Sequence, residues 1–229
     1  LTSLAREVVA RVRREGRLRV VAVTGSNGKT TTKNMLRAVL ERVGQVVSPR
    51  GSFNNQVGAP LSMLDLTMES DFLIVEMGAS AVGDIARLVS IVTPDVAVVL
   101  KVGLAHAGGF GSIEETQKAK AELVTELPES AVAVLNVDDT RVGAMAGMTK
   151  ARIVSFGFSD SAMVRAVQVS TSIEGTRFTV VAGEERIDAQ LRILGDHNVM
   201  NALATVAATR EFGVKPTEAI AALSELARA

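Results

Sequence analysis

Val20-Val21-Ala22-Val23-Thr24-Gly25-Ser26-Asn27-Gly28-Lys29-Thr30-Thr31-Thr32 passes from an apolar, β-branched run through a turn of small residues into Lys-Thr. A helical pattern of Met35, Leu36, Val39 and Leu40 follows, so the order is strand, phosphate-sized loop, helix. A helix N-terminus presents N–H groups and the positive end of the helix dipole, which stabilise an anion. Gly25 and Gly28 let the backbone approach it closely. Lys29 places a cation on the outer phosphates, and the Thr30 hydroxyl stands where a phosphate-bound Mg²⁺ takes an oxygen ligand. The fit to the general phosphate-loop pattern is imperfect, since Val23 occupies the position of its first Gly. An accidental Gly-Lys-Thr in a loop is the plainer alternative, and the strand and helix flanking it argue against that.

The composition is that of a soluble globular protein, and the alternation of strands and helices with a phosphate loop after an early strand gives an α/β domain with a largely parallel sheet. The chain has 229 residues, 47% of them hydrophobic and 22% charged, with 25 basic against 25 acidic side chains. That length suits one large domain or two small ones. A balanced charge argues against a nucleic-acid or anionic-membrane binder, and the lack of Cys excludes disulfides, thiol catalysis and thiolate metal sites. No apolar run approaches the ~20 residues that span a bilayer, and no signal-peptide pattern opens the chain. The expected location is cytoplasmic. Leu4, Val8 and Val12 recur at helical spacing among Arg6, Arg11, Arg13 and Arg14. Because Glu7 and Glu15 dilute that basic face, a helix packed on the domain is favoured over one lying on a membrane. Leu1 in place of an initiator Met, and a helical pattern still running from Ala219 to Ala229, lead to the expectation that both ends are cut from a longer protein.

Polar residues at the ends of apolar runs supply the other candidates. After Pro49, the Gly/Asn-rich run to Pro60 reads as a surface turn, yet Asn54 and Asn55 could bind a polar ligand there. Phe72 to Val75 is a buried strand ending in Glu76, a carboxylate suited to Mg²⁺ or simply to solvent. His106, one of two His, lies in a Gly-rich loop after the strand Val96 to Leu100, where a satisfied structural His is the ordinary reading. Ser112 and Glu115 form a helix-start signature. On that helix Lys118 and Lys120 point about 200° apart, so only one can face a cleft, and an exposed Lys is the ordinary reading for either. Asn136 ends the strand that begins at Ala131 and Asp138 follows it, where turn and capping chemistry competes with ligand binding. Residues 152–194 alternate and read as small antiparallel hairpins. Asp196, read as a helix cap, precedes His197, Asn198 and Asn201; the two Asn fall on one helix face, with donors and acceptors suited to an adenine edge.

Thr-Gly-Ser-Asn-Gly-Lys-Thr-Thr resembles the nucleotide loop of the Mur ligase family and of its relatives, the folylpolyglutamate and cyanophycin synthetases. Asn54-Asn55 followed by Gly58-x-Pro60-Leu61 is most similar to the members that add D-alanyl-D-alanine. The resemblance runs through ordered motifs over essentially the whole chain. It implies a P-loop NTPase-like α/β fold with a largely parallel sheet flanked by helices and a small antiparallel sheet attached. Residues 1–229 would be one central ATP-binding domain, with a linker helix at 1–17 and the hairpins at 152–194. An N-terminal UDP-binding domain and a C-terminal domain would lie outside it.

The implied reaction is ATP-dependent joining of D-alanyl-D-alanine to UDP-N-acetylmuramoyl-tripeptide through an acyl phosphate, with no nucleic acid and no membrane insertion. The implied cofactors are ATP and two Mg²⁺ ions. Lys29, His106 and Lys120 would be catalytic, and Thr30, Glu76, His106 and Lys120 metal ligands, with Lys120 carbamylated by CO₂. Gly25, Ser26, Asn27, Gly28, Lys29, Thr30, Thr31, Asn136, His197, Asn198 and Asn201 would bind the nucleotide, and Asn54 and Asn55 the substrate. Departures occur at Lys101, where many relatives have Asn, and at Ala107-Gly108, where they have Leu-Glu. Another Mur-type amino-acid ligase, a folylpolyglutamate synthetase and a non-catalytic P-loop module are the alternatives, and the isolated chain is expected to be inactive.

Overall fold

A computed structural model describes residues 1–49, 51, 54–103 and 111–226. His106 therefore lies outside the described residues. The elements alternate along the chain: α1 (Thr2–Glu15), β1 (Arg19–Thr24), α2 (Lys29–Leu40), β2 (Val46–Val47), α3 (Gly58–Met63), β3 (Phe72–Glu76), α4 (Asp84–Val89), β4 (Val96–Val99), α5 (Ile113–Thr125) and β5 (Val132–Asn136). Then come α6 (Thr140–Gly143), a 3-10 turn at Ala144–Met148, β6 (Arg152–Gly157), β7 (Val164–Ser172), β8 (Gly175–Ala182), β9 (Glu185–Leu191), α7 (Asp196–Arg210) and α8 (Pro216–Ser224).

All the strands join one sheet in the order β2-β3-β1-β4-β5-β6-β7-β8-β9. Pairing is parallel from β2 to β7 and antiparallel between β7, β8 and β9. The antiparallel part thus begins at Val164. Arg152–Gly157, expected in the hairpins, pairs in parallel with β5 through Val132↔Arg152 to Asn136↔Phe156. Its burial explains the error: Val154, Ser155, Phe156 and Gly157 are all buried, and a strand covered on both faces shows no alternation.

The same two-sided burial makes β1 a continuous apolar run. Val21 and Val23 join the cluster formed with Met35 and Leu36 of α2 and Leu203 of α7. Val20 and Ala22 point to the opposite cluster, with Val9 and Val12 of α1 and Leu123 of α5. In α2, Met35, Leu36, Val39 and Leu40 are essentially inaccessible. At ~1.5 to 3 kcal/mol for each such side chain, their burial contributes on the order of 6 to 12 kcal/mol as an upper estimate. The helix is therefore a rigid support for the loop before it.

The rotation of α1 differs from the expected stripe. Ala5, Val9 and Val12 are buried while Leu4 is 57% exposed. The Arg6 Nε donates to Ser90 O at 3.0 Å, and Arg13 pairs with Asp95 at 2.9 Å. Ala5 thus takes the core position expected of Leu4, and Arg6 and Arg13 tether the helix to Ser90 and Asp95. Among the described residues no helix is long and apolar enough to cross a membrane.

Candidate nucleotide and acyl-transfer site

The chain order reverses around β1, whose neighbours are β3 and β4. Ligand crevices open beyond the carboxyl ends of strands at such a reversal. Three contacts fix those ends: the Thr24 hydroxyl donates to Met77 O at 2.8 Å, Leu100 N–H to Thr24 O at 3.0 Å, and Ser26 N–H to Lys101 O at 2.8 Å. The Ser26 hydroxyl also donates to Gly103 O and accepts from Gly103 N–H, at 2.9 and 2.8 Å. It braces the loop against the segment after β4.

Gly28 caps α2 with φ +86°, a left-handed conformation that favours Gly. A Cβ there would also fall 2.5 Å from the Asn201 Oδ1. No side chain caps α2, so its start is suited to an anion. The Lys29 ammonium folds back and donates to Gly25 O at 2.7 Å. Burial lowers its pKa, and the Glu76 carboxylate works in the other direction.

On one side of this loop is a cavity of about 500 Å³ lined by Lys29, Asn54, Asn55, Gln56, Asp84 and Lys120, among others. Glu76 ends β3 with 1% exposure beside it. Its carboxylate accepts from the Thr30 hydroxyl at 3.1 Å and from the Asn54 amide at 2.8 Å. The Asn55 Oδ1 accepts from Val57 N–H and Gly58 N–H, which starts α3. Lys120 is 3% exposed, on the buried face of α5, and its amine makes no hydrogen bond or ion pair within the described residues. Burial, with a smaller contribution from the Lys29 charge, lowers its pKa to about 8. Lys118 is exposed on the opposite side.

On the other side lies a cavity of about 540 Å³ lined by Asn27, Gly28, Lys101, Phe158, His197 and Asn201, among others. Asn201 is 5% exposed and its carboxamide has no partner within the described residues. Asn136 reaches this cavity too, but its amide donates to Leu100 O and its oxygen accepts from Asp138 N–H. The Asp138 carboxylate in turn accepts from Phe158 N–H and Ser159 N–H, which holds Phe158 at the rim. Asn198 does not face the cavity: its amide donates to Leu194 O at 2.8 Å and contacts the His197 ring. Gly195, and not Asp196, occupies the cap position of α7, and Asp196 lines the cavity instead. Thr31 lies in the first turn of α2 and lines neither cavity.

Sequence reasoning missed three contributors. Lys33 is 2% exposed, with its ammonium on Pro49 O and Gly51 O. Its signal was a lysine three and seven residues before Leu36 and Leu40, on the apolar stripe of α2. Asp84 accepts from Ser80 N–H, Ala81 N–H and the Gln56 amide. Burial opposes its charged form, but these hydrogen bonds together with Arg87 hold its pKa below the usual carboxylate value. Glu122 accepts from Gly83 N–H and Ala86 N–H at the start of α4, a structural use that its position in α5 does not advertise.

Residues 23–209 match the family description "Mur ligase middle domain". The UDP-N-acetylmuramoyl-tripeptide–D-alanyl-D-alanine ligase of Mycobacterium tuberculosis is 42% identical over 224 residues, covering 97% of this chain and 43% of the relative. The ligase of the same name from Escherichia coli is 37% identical over 210 residues, covering 90% of this chain and 46% of the relative. Among solved structures, MurF from Acinetobacter baumannii superposes with a TM-score of 0.92 at 31% identity, over all of this chain and 50% of that one. MurF ligase from Thermotoga maritima in complex with ADP gives 0.88 at 31% identity, over all of this chain and 52% of that one. The chain spans about half the length of the relatives it matches, and the shared fold is P-loop NTPase-like. On the family match, which covers most of its length, the chain belongs to the Mur ligase family, as its middle domain.

Proposed function

We propose that this chain is the ATP-binding part of a cytoplasmic enzyme that joins D-alanyl-D-alanine to UDP-N-acetylmuramoyl-tripeptide. One observation carries the reading: Lys29, Asn54 and Lys120 line one cavity, Asn54 bonds there to the Thr30–Glu76 pair, and a nucleoside-sized cavity adjoins it across the same loop. The relatives bearing that ligase name support the choice of substrates. Adenosine would occupy the larger cavity, with His197 and Asn201 at its polar edges, and the phosphates would cross residues 25–30.

In the first step a carboxylate oxygen of the tripeptide bonds to the γ-phosphorus while the bond from that phosphorus to the β-bridging oxygen breaks, releasing ADP. In the second the D-alanyl-D-alanine amine bonds to the acyl carbon, inorganic phosphate leaves, and the new amide gives up a proton. The protein aligns the reactants and neutralises charge on the equatorial oxygens. Lys29 does this by leaving Gly25 O for the phosphate. Asn54 and Asn55 line the cavity that receives the tripeptide carboxylate.

The donors present suit Mg²⁺. Thr30 and Glu76 offer hard oxygens in contact with each other, and no group of three or more His, Cys, Asp or Glu stands together among the described residues, so phosphate oxygens and water would complete the coordination. When bound, Mg²⁺ withdraws charge from the phosphate oxygens. A second ion would use His106 and carbamylated Lys120. The pKa of about 8 leaves about one Lys120 amine in ten neutral at pH 7. That neutral amine can attack CO₂, giving a carbamate and a proton, and ¹³C-NMR after ¹³CO₂ would detect it.

The test is phosphate release by the longer protein supplied with ATP and the tripeptide substrate, with and without D-alanyl-D-alanine. Release that depends on both acceptor substrates is expected; release indifferent to either refutes the assignment. This chain alone is expected to bind ATP weakly and not to ligate, and robust ligation by it would overturn that part.

A further inference from the structure

Lys33 lies one helical turn beyond Lys29 on α2, so the two side chains rise from the same face. A helix lysine ordinarily carries its ammonium to water along an apolar stem. Lys33 does the opposite: it is 2% exposed, and its Nζ donates to Pro49 O at 2.9 Å and to Gly51 O at 2.5 Å. Taking an ammonium out of water is unfavourable unless its N–H groups find acceptors. Burial accordingly lowers its pKa, with Glu76 opposing that effect. A Leu or Met would fill the same space on this apolar stripe without the penalty, so what the ammonium contributes is the fixed position of two carbonyls.

Those carbonyls open the segment that leads from β2 to Asn54 and Asn55. Its other end is also held. The Asn54 amide reaches Glu76, Asn54 O accepts from Gly78 N–H at 2.8 Å, and Glu76 accepts from the Thr30 hydroxyl. Pro49, Gly51 and Asn54 are thus each tied to α2, the first two by Lys33 and the third through Glu76 and Thr30.

We infer that Lys33 is a positioning residue that holds the Pro49 and Gly51 carbonyls to the phosphate-loop helix and thereby sets Asn54 and Asn55 for the acceptor carboxylate, an inference that rests on the function proposed above. The clamp touches neither nucleotide cavity nor reacting atom. Its loss therefore acts on acceptor binding and leaves ATP binding alone.

The experiment uses the longer protein with Lys33→Met and Lys33→Arg. For Lys33→Met, KM for the UDP-muramoyl-tripeptide is expected to rise tenfold or more while KM for ATP changes by less than twofold. Amide hydrogen exchange in residues 54–59 is expected to speed up at least tenfold. Lys33→Arg, which keeps donors for both carbonyls, should recover most of the acceptor KM. Equal changes in both KM values, or unaltered exchange in residues 54–59, would overturn the inference.

Should Lys33→Met not fold, Lys33→Gln, which is neutral and keeps an amide donor, takes its place. Unaltered exchange in residues 54–59 of that variant, or equal changes in both KM values, again refutes the clamp. If the wild-type protein fails to ligate at all, the functional reading falls, whereas the exchange measurements still judge the clamp.

Discussion

Replacing Lys120 by Met should make the protein more stable while abolishing its activity. Met keeps an unbranched stem in the space that Lys120 fills on the buried face of α5 and removes the amine. The ammonium is disfavoured there first by burial and then by Lys29, which lowers the pKa from 10.5 to about 8. At 1.36 kcal/mol per pKa unit, that difference amounts to about 3 kcal/mol. The sign follows from linkage. Between pH 8 and 10.5 the unfolded chain binds a proton that the folded chain does not, so stability rises with pH in this window, and below pH 8 the full penalty applies. The assay is thermal or urea unfolding of this chain in CO₂-free buffer. At pH 7 Lys120→Met should raise the melting temperature by about 6 to 12 °C, taking about 2 to 4 °C per kcal/mol for a chain of this size. The gain should shrink as pH approaches 10.5. Bicarbonate should narrow it too, since a carbamate would face Lys29 with the opposite charge. A variant no more stable than wild type at pH 7, or a gain independent of pH, would refute the desolvation argument.

Lys29→Ala in the longer protein should lower kcat by about 10²- to 10³-fold, the usual effect of removing one preorganised charge stabiliser; steady-state phosphate release measures it, and near-normal turnover would disprove the role. Gly28→Ala forces a left-handed residue costing about 1 to 2 kcal/mol and drives a Cβ toward Asn201, so ADP affinity measured by calorimetry should fall at least tenfold. Asp84→Asn should flatten the acid limb of stability. The lowered pKa of Asp84 means that its contribution is present above the unfolded carboxylate value, about pH 4, and is lost as pH falls through the folded value. Urea midpoints at pH 6 and pH 3 should differ less in the variant than in wild type.

What could be read from the sequence depended on whether a signal was local. The strand at residues 19–24, the loop after it and α2 were legible because an apolar run, two Gly and a helical stripe sit next to one another. Glu76 and Lys120 could be nominated by position, but the Thr30–Glu76–Asn54 contact joins residues far apart in the chain. The rotation of α1 was not legible, because the groups that Arg6 and Arg13 meet, Ser90 and Asp95, lie far along the chain. Arg152–Gly157 was misread for a related reason: a strand is parallel or antiparallel by virtue of its neighbour, and its own residues carry only burial. Asn198 and Asn201 share a helix face as expected, yet Leu194 O takes the first amide and leaves only the second for the cavity.

Three lysines show why residue type alone could not assign the site. Burial lowers the pKa of Lys29, Lys33 and Lys120, but the fold sets a different group opposite each amine. Lys29 meets one loop carbonyl among the described residues, a hydrogen bond that a phosphate can replace with a stronger, charge-assisted one. Lys33 meets two carbonyls of a neighbouring segment and is already satisfied, so it holds structure and has nothing to give a ligand. Lys120 meets no partner within the described residues, so burial disfavours its charge with no hydrogen bond there to offset it. Two routes relieve that cost: loss of the proton, or conversion of the amine to an anion that attracts Lys29 and binds a cation. Only the second also serves the transfer of a phosphoryl group, and on that ground an expensive lysine at position 120 makes sense where a Met would be more stable.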